Sequence, residues 1–386
     1  MNASFSLTRT EAYALMRCNG SDLLRLMQQA AALRDACKGK VITYSRKVFI
    51  PLTNLCRNQC AYCTFAVPPA SPQASLLSPQ QVLQIARLGA QARCKEALFS
   101  MGEKPEWVYP SLRRQLRDWG YPSLIHYLRA MCELVFRETG LIPHVNPGTM
   151  SEEEMRLLRP WAGSMGMMLE NISPRLLQKG EAHEHCVDKA PQRRLQTLEN
   201  AGKLQVPFTT GILIGIGETP EERVDSLFAI AELQRRYGNI QEVIIQNFRP
   251  KPATRFANRP QPSLIEMLRT IAVARLILGG EMNLQAPPNL SPDAYLLYPL
   301  AGINDWGGIS PLTIDYINPE AAWPNLEELR HLTAEAGFEL RERLTIYPQY
   351  LSTTFVAPHI FQHVQSWLDE RGLVQELLAE PLGGIG

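Results

Sequence analysis

The chain has 386 residues, 45% of them hydrophobic and 20% charged, and a formal net charge of +1. That length and composition suit a globular protein with a sizeable buried core, arranged as one large domain or two medium ones. A near-neutral charge removes any global electrostatic reason to expect nucleic acid or an anionic membrane as the main partner.

The first residues, "MNASFSLTRTEAYALMRC", have no apolar h-region and no small-residue cleavage pattern, so no secretory signal is expected. No apolar run is long enough to span a bilayer. Residues 8–36 carry apolar positions at helical spacing, broken by Lys38-Gly39-Lys40, and residues 1–40 are expected to form a helical extension. After it the pattern alternates. "VITYSRKVFIPLTN" reads as a strand running into a cysteine-rich loop, and a helix is expected over about residues 79 to 93. "EALFSMG" is a short apolar strand, "PSLIHYLRAMCELVFRETG" a helix, and "LIPHVNPGT" a strand. "SEEEMRLLRPWAG" is a helix with a serine N-cap and carboxylates in its first turn. "SMGMMLENIS" is a strand, "APQRRLQTLENAG" a helix closed by Gly202, and "VPFTTGILIGIG" a buried strand. Helix "TPEERVDSLFAIAELQRRYG", strand "IQEVIIQNF" and helix "SLIEMLRTIAVARLILGG" follow, with a basic, proline-rich loop before the last, read as a rigid surface connection. "NLQAPPNL" and "PLAGINDWGG" look like two more strand-to-loop units, and "HIFQHVQSWLDERGLVQELL" like an amphipathic helix packed on the rest.

Apolar strands alternating with amphipathic helices mean βα units and a parallel sheet covered by helices. Six to eight such units favour an α/β fold of the TIM-type (β/α) barrel, full or partial, over a doubly wound sheet. We place the barrel at residues 41–320 and a C-terminal helical region packed on it at 321–386. No period of 20 to 50 residues recurs, which argues against a solenoid. Active sites of such barrels lie at the C-terminal ends of the strands. Polar residues recur at those expected ends: Gly102-Glu103, Asn146, Glu170-Asn171, Gly215 to Glu218, Gln246-Asn247, Asn289 and Asn304-Asp305.

Of eight cysteines, five stand alone and three crowd into "CRNQCAYC" as Cys56, Cys60 and Cys63. A disulfide framework would be spread through a small secreted chain. This pattern points to a reducing compartment, the cytoplasm by default, with one metal or redox site. Structural zinc takes four protein ligands. The next cysteine is Cys94 and the next histidine His126, neither in a ligand-spaced pair. Arg57, Asn58 and Gln59 make chance clustering in a buried apolar loop a poor alternative. Three thiolates suit a [4Fe–4S] cluster with one iron left for a small chelating molecule.

The Cx3Cx2C spacing, with Tyr62 before the third cysteine, resembles the signature of radical S-adenosylmethionine (SAM) enzymes. The resemblance implies that SAM chelates the open iron and is cleaved by one electron to a 5′-deoxyadenosyl radical, an electron donor such as ferredoxin or flavodoxin supplying the electron. It also implies SAM contacts at Gly102 and Glu103 of "SMGEKPE", at Arg194 (with Arg193 as the ambiguous neighbour), at Glu170 or Asn171, and along Gly215 and Gly217 of "GILIGIGET". Longer blocks, among them "HVNPGTMSEEE", "VIIQNFRPKP" and "AGINDWGGISPLTIDYINPEAAWP", closely resemble the 7,8-didemethyl-8-hydroxy-5-deazariboflavin synthase family over residues 40 to 330. That resemblance implies a lyase of deazaflavin coenzyme biosynthesis. Its small-molecule substrate would be a tyrosine–5-amino-6-ribitylaminouracil adduct made by a partner radical SAM subunit.

A ribityl and uracil substrate needs neutral hydrogen-bond partners. Asn146, Gln246, Asn289 and Asn304 are expected to supply them, Trp306 to pack on a ring, and Asp305 to serve as the acid or base. "HEHC" (His183 to Cys186) is read as a solvated or packed loop rather than a second metal site. Two other readings stay open. One is a radical SAM enzyme of biotin, menaquinone or hydrogenase-cofactor assembly; the other is a non-catalytic iron–sulfur or zinc protein.

Overall fold

The computed structural model describes residues 7–376. Eight parallel strands form the centre: β1 (Val41–Thr53), β2 (Glu96–Met101), β3 (Ile142–Asn146), β4 (Ser164–Gly166), β5 (Phe208–Ile214), β6 (Ile240–Asn247), β7 (Leu284–Gln285) and β8 (Asp305–Ile309). The sheet closes on itself because the long β1 pairs with β2, from Lys47 opposite Glu96 to Thr53 opposite Met101, and with β8, from Thr43 opposite Asp305 to Arg46 opposite Ile309. The expected TIM-type barrel is therefore present and complete.

The strands read as near-continuous apolar runs because a helix covers each outer face and side chains fill the inside. β5, "FTTGILI", is buried at every position. Along the chain the helices are α1 (Arg9–Leu15), α2 (Gly20–Lys38), α3 (Pro79–Gln91), α4 (Pro110–Asp118), α5 (Leu124–Thr139), α6 (Glu152–Leu158), α7 (Pro191–Lys203), α8 (Pro220–Tyr237) and α9 (Leu264–Leu278). Five of them start at capping boxes: Thr8 with Glu11 at α1, and, after barrel strands, Ser78 with Gln81, Ser151 with Glu154, Thr219 with Glu222 and Ser263 with Glu266. Each cap satisfies otherwise orphaned backbone donors and is worth about 1 kcal/mol. Together the last four fix where the strand-to-helix loops stop, and those loops build the site.

The N-terminal extension consists of two helices, separated by residues 16–19. α2 packs Leu23, Leu26 and Ala30 against Ala272, Val273 and Leu276 of α9.

The C-terminal region departs from its expected helical character. It holds α10 (Leu326–Glu335), α11 (Pro358–Val364) and between them a ninth strand, β9 (Glu339–Glu342), paired parallel to Val41–Tyr44 of β1. The chain after β9 sends Arg343, Thr345 and Tyr347 into the barrel floor, where Arg343 meets Asp305 and Glu242 and the Tyr347 hydroxyl donates to Glu242 at 2.9 Å. The expected amphipathic helix ends at Val364 because Asp369 turns the chain. Its carboxylate accepts from Arg371 N and Leu373 N, and Arg341 pairs with it at 2.5 Å. The last residues of that expected helix lie outside the described residues.

Candidate active site

The cysteine loop leaves the C-terminal end of β1 at Thr53 and is pinned by backbone bonds on three sides. Arg57 N donates to Glu103 O at 3.1 Å, Ala61 N to Ala182 O at 2.9 Å, and Phe256 N to Ala61 O at 3.1 Å. Gly102 is required at the first of these contacts. A β-carbon there would run into the Leu55 carbonyl and lie 2.7 Å from Cys56 Cβ. Cys56 Sγ accepts from Asn58 N at 3.4 Å and Glu103 N at 3.2 Å. Arg57 is ion-paired to the buried Asp188, which also accepts from Asn58 Nδ2 at 3.3 Å.

Cys56, Cys60 and Cys63 all border one cavity of about 350 Å³ at the barrel mouth. Among the described residues no three His, Cys, Asp or Glu side chains converge closely enough to hold a metal ion. Soft thiols around a shared space, instead of converging on one point, suit a multi-iron cluster better than mononuclear zinc. Burial pushes the Cys56 thiol up to about 11, so cluster loading would have to draw off its proton. The Cys60 thiol is drawn below its usual range by the S–H of Cys186, against the opposing effect of burial.

Two buried carboxylates and two buried cations face the thiols. Glu103 accepts from Thr149 N and Oγ1, both at 2.6 Å, and from Asn58 Nδ2 at 3.0 Å. Glu170 accepts from the Tyr62 hydroxyl at 2.5 Å, and lies 2.9 Å from His183 Nε2 and 2.5 Å from Lys189 Nζ. Burial pushes the Glu170 carboxyl up, but Lys189, the His183 hydrogen bond and Arg194 together hold it well below the usual carboxylate range. Burial also lowers the His183 pKa, against the opposing pull of Glu170. Glu170 adopts φ 63°, a left-handed conformation that is costly for a non-glycine residue. It persists because Glu170 N donates to Gly211 O and Leu213 N to Glu170 O, at 2.9 and 3.1 Å, tying the residue to β5.

Arg194 is the informative side chain. It is 4% exposed, 3.8 Å from both Glu103 and Glu170, and its Nε and Nη1 donate to nothing. A buried guanidinium with free donors on a cavity wall is costly unless an anionic acceptor completes it. Arg193, the competing neighbour, is half-exposed and reaches Asp188 at 3.5 Å. The donor set fits a chelating amino acid at this wall: carboxylates for an ammonium, a guanidinium for a carboxylate.

The remaining expected SAM contacts divide. Glu170 lines the cavity, whereas Asn171 does not and accepts from Ser173 N at 2.7 Å. Gly215 and Gly217, at φ 92° and 111°, shape the turn after β5, with Gly215 N and Ile216 N donating to Glu218 at 2.7 and 2.8 Å. They do not border the cavity; Leu213 and Phe248 line that wall.

Asn146 and Gln246 line both this cavity and a deeper chamber of about 180 Å³ inside the barrel, and Asn289 lines the deeper one. Asn304, Asp305 and Trp306 are at the other end. β8 begins at Asp305, which pairs with Thr43, ten residues before the Thr53 that leads into the cysteine loop. At about 3.3 Å per residue that separates Asp305 from the mouth by most of the barrel's height. Arg343 binds Asp305 in a fork, Nε at 2.6 Å and Nη2 at 2.9 Å. Asn304 Oδ1 accepts from Arg275 at 2.8 Å, and Trp306 is fully buried with its Nε1 donating to Thr333 at 3.2 Å. None of the three reaches the cavity or the chamber. Asp305→Ala is accordingly expected to destabilise the fold by about 3–5 kcal/mol, since it breaks a buried ion pair and leaves Arg343 with Glu242 as its one carboxylate partner. A thermal or denaturant melt checks this; an unchanged midpoint would refute the structural assignment.

Sequence reading gave no site role to Lys189, His183 or Cys186, which are buried or nearly so; the "HEHC" loop, read as solvated or packed, is packed at His183 and Cys186. His185 and Val187 are the exposed residues between His183 and Lys189. It also missed Arg249 and Lys251, which the proline-rich loop delivers to the cavity rather than to the surface. No local signal marks these residues. Their partners lie far away in sequence.

Residues 50–230 match the family model of the radical SAM superfamily. The chain is 48% identical to the 7,8-didemethyl-8-hydroxy-5-deazariboflavin synthase of Methanopyrus kandleri, over 87% of this chain and 100% of that protein. It is also 48% identical to the FO synthase of Streptomyces avermitilis, over 98% of this chain but 44% of that protein, so it spans less than half the length of that relative. Among solved structures, the FeFe-hydrogenase maturase HydG of Carboxydothermus hydrogenoformans superposes with a TM-score of 0.70 at 18% identity, covering 92% of this chain and 84% of that one. Methylornithine synthase superposes with a TM-score of 0.67 at 19% identity, covering 86% and 94%; at such identities these two speak to the fold alone. By identity along nearly its whole length, and by a cysteine loop set at the mouth of a closed parallel barrel, the chain belongs to the radical SAM superfamily and, within it, to the 7,8-didemethyl-8-hydroxy-5-deazariboflavin (FO) synthase family.

Proposed function

We propose that the chain is a radical SAM carbon–nitrogen lyase, the ring-closing part of FO synthase. It converts the tyrosine–5-amino-6-ribitylaminouracil adduct to 7,8-didemethyl-8-hydroxy-5-deazariboflavin with release of ammonia. The observation carrying this reading is the 48% identity over the full length of a relative bearing that name. A partner radical SAM subunit or domain supplies the adduct, and a ferredoxin- or flavodoxin-type donor supplies the electron.

Cys56, Cys60 and Cys63 would hold the cluster, Glu103 the SAM ammonium, Arg194 the SAM carboxylate, and Glu170 the ribose. Once bound, the [4Fe–4S] cluster and SAM supply a 5′-deoxyadenosyl radical able to remove a substrate hydrogen. The protein's part is position and a dry cavity. The barrel interior below the mouth presents Asn146, Gln246, Gln285 and Asn289, neutral groups that match the hydroxyls and amides of a ribityluracil.

Ammonia loss needs a proton donor close to the reacting carbons, and Asp305 is too far and fully committed to Arg343 and Thr43. Lys251 takes that role. It borders the cavity with Cys63, and its Nζ donates to Ile317 O at 2.6 Å. Burial lowers its pKa, which loosens the proton. Lys251→Met is expected to cut kcat by roughly 10²-fold or more, the usual contribution of a positioned acid, with little change in KM for SAM. Single-turnover assays would check it; a rate within threefold of the parent would reassign the proton.

The function itself is tested anaerobically with reconstituted protein, SAM, reductant and the adduct, following deazaflavin fluorescence. SAM cleavage without the fluorophore would transfer the chain to another cofactor-assembly reaction. An electron paramagnetic resonance (EPR) spectrum unmoved by SAM would make it a non-catalytic iron–sulfur protein.

A further inference from the structure

The "HEHC" segment is not absorbed by the roles above, and its cysteine is not solvated. Cys186 is 2% exposed, and its Sγ lies 3.7 Å from Cys60 Sγ, although the two are 126 positions apart. The placement is enforced from several directions. Ala61 N donates to Ala182 O at 2.9 Å, and Cys186 N to His183 O at 3.0 Å, closing the turn onto the cysteine loop. Arg255 then bridges the two segments, donating to Gln59 O at 3.1 Å and to the Glu184 carboxylate at 2.6 Å.

A thiol has one proton to give. The acceptors in reach are Cys60 Sγ and the Glu184 carbonyl at 3.4 Å. Once Cys60 serves as a thiolate ligand, the charged sulfur is the stronger acceptor. A hydrogen bond to a ligating sulfur withdraws electron density from it and stabilises the more negative, reduced cluster. We infer that the Cys186 thiol donates a hydrogen bond to the Cys60 sulfur and thereby raises the reduction potential of the cluster held at the cysteine loop, easing its one-electron reduction. This inference rests on a [4Fe–4S] cluster occupying that loop. Cys186 is then a tuning residue, neither a ligand nor a catalytic group.

The test compares the parent protein with Cys186→Ala and Cys186→Ser, each reconstituted anaerobically. Iron and sulfide content are measured first, followed by an EPR-monitored redox titration. The alanine variant should keep the parent's iron content but reduce less readily. The expected shift is on the order of tenfold in the reduction equilibrium, about 59 mV to the negative for a one-electron couple. The serine variant retains a donor and should stay nearer the parent. An alanine variant at the parent potential overturns the inference. So does an alanine variant that loses iron, because Cys186 would then be holding the cluster. If the parent itself takes up no cluster, the cofactor assignment fails, and this inference with it.

Discussion

Cys63→Ala protein, reconstituted with iron and sulfide, should hold little or no [4Fe–4S] cluster and form no deazaflavin. The same holds for Cys56→Ala. Both thiols border the cavity, and among the described residues neither is hydrogen-bonded to another sulfur; Cys56 Sγ accepts from the Asn58 and Glu103 backbone N–H groups. Losing one of three protein ligands leaves two irons without an anchor on the protein. The effect should therefore be all-or-none in iron content and in the absorbance near the charge-transfer bands, with the fold retained by circular dichroism. The loop's position depends on backbone bonds to Glu103, Ala182 and Phe256, which these substitutions leave in place. A variant with full iron content would refute the triad as the cluster's anchor. Cys60 is the less clean test, since Cys186 lies 3.7 Å from it.

The second large effect is expected at Arg194. Arg194→Ala should leave iron content unchanged and weaken SAM binding by about 2–5 kcal/mol, the cost of truncating one side of a buried charge pair. That corresponds to roughly thirtyfold or more in Kd. Two reasons favour a large value. The side chain is 4% exposed, and its Nε and Nη1 have no acceptor within the protein, so a bound carboxylate would complete them. Without the guanidinium, Glu103 and Glu170 also lose a shared cation 3.8 Å from each, and Lys189 remains beside Glu170 alone. Arg194→Lys should recover part of the affinity but not all, because an ammonium cannot grip a carboxylate in a fork. The measurement is SAM titration of the reduced cluster by EPR. Affinity within threefold of the parent in Arg194→Ala would remove this residue from the SAM site.

Legibility from sequence followed the range of the interactions. Cys56, Cys60 and Cys63 sit within one loop, so their spacing alone fixes their common site and the type of metal chemistry it suits. Continuous apolar strands between capped helices were equally readable, since burial on both faces of a parallel strand leaves no polar alternation. Choices between neighbours were out of reach. Arg193 and Arg194 differ only in which side of α7 they occupy, and packing put one at Asp188 and the other between Glu103 and Glu170. The reading of Asn304, Asp305 and Trp306 failed for a related reason. β8 is five residues long with two adjacent glycines, "DWGGI", so the apolar pattern does not show where the strand begins, and polar residues at its start look like residues at its end.

The sequence by itself thus determined the barrel, the cysteine loop and the superfamily, because each is written in short-range pattern. Only the tertiary structure decided the composition of the cavity wall. Lys189 reaches Glu170, Lys251 reaches the cavity beside Cys63, and Cys186 reaches Cys60 through loops that come from different βα units. Closure of the sheet brings the ends of those units to one mouth, and no local periodicity encodes which side chains then meet there.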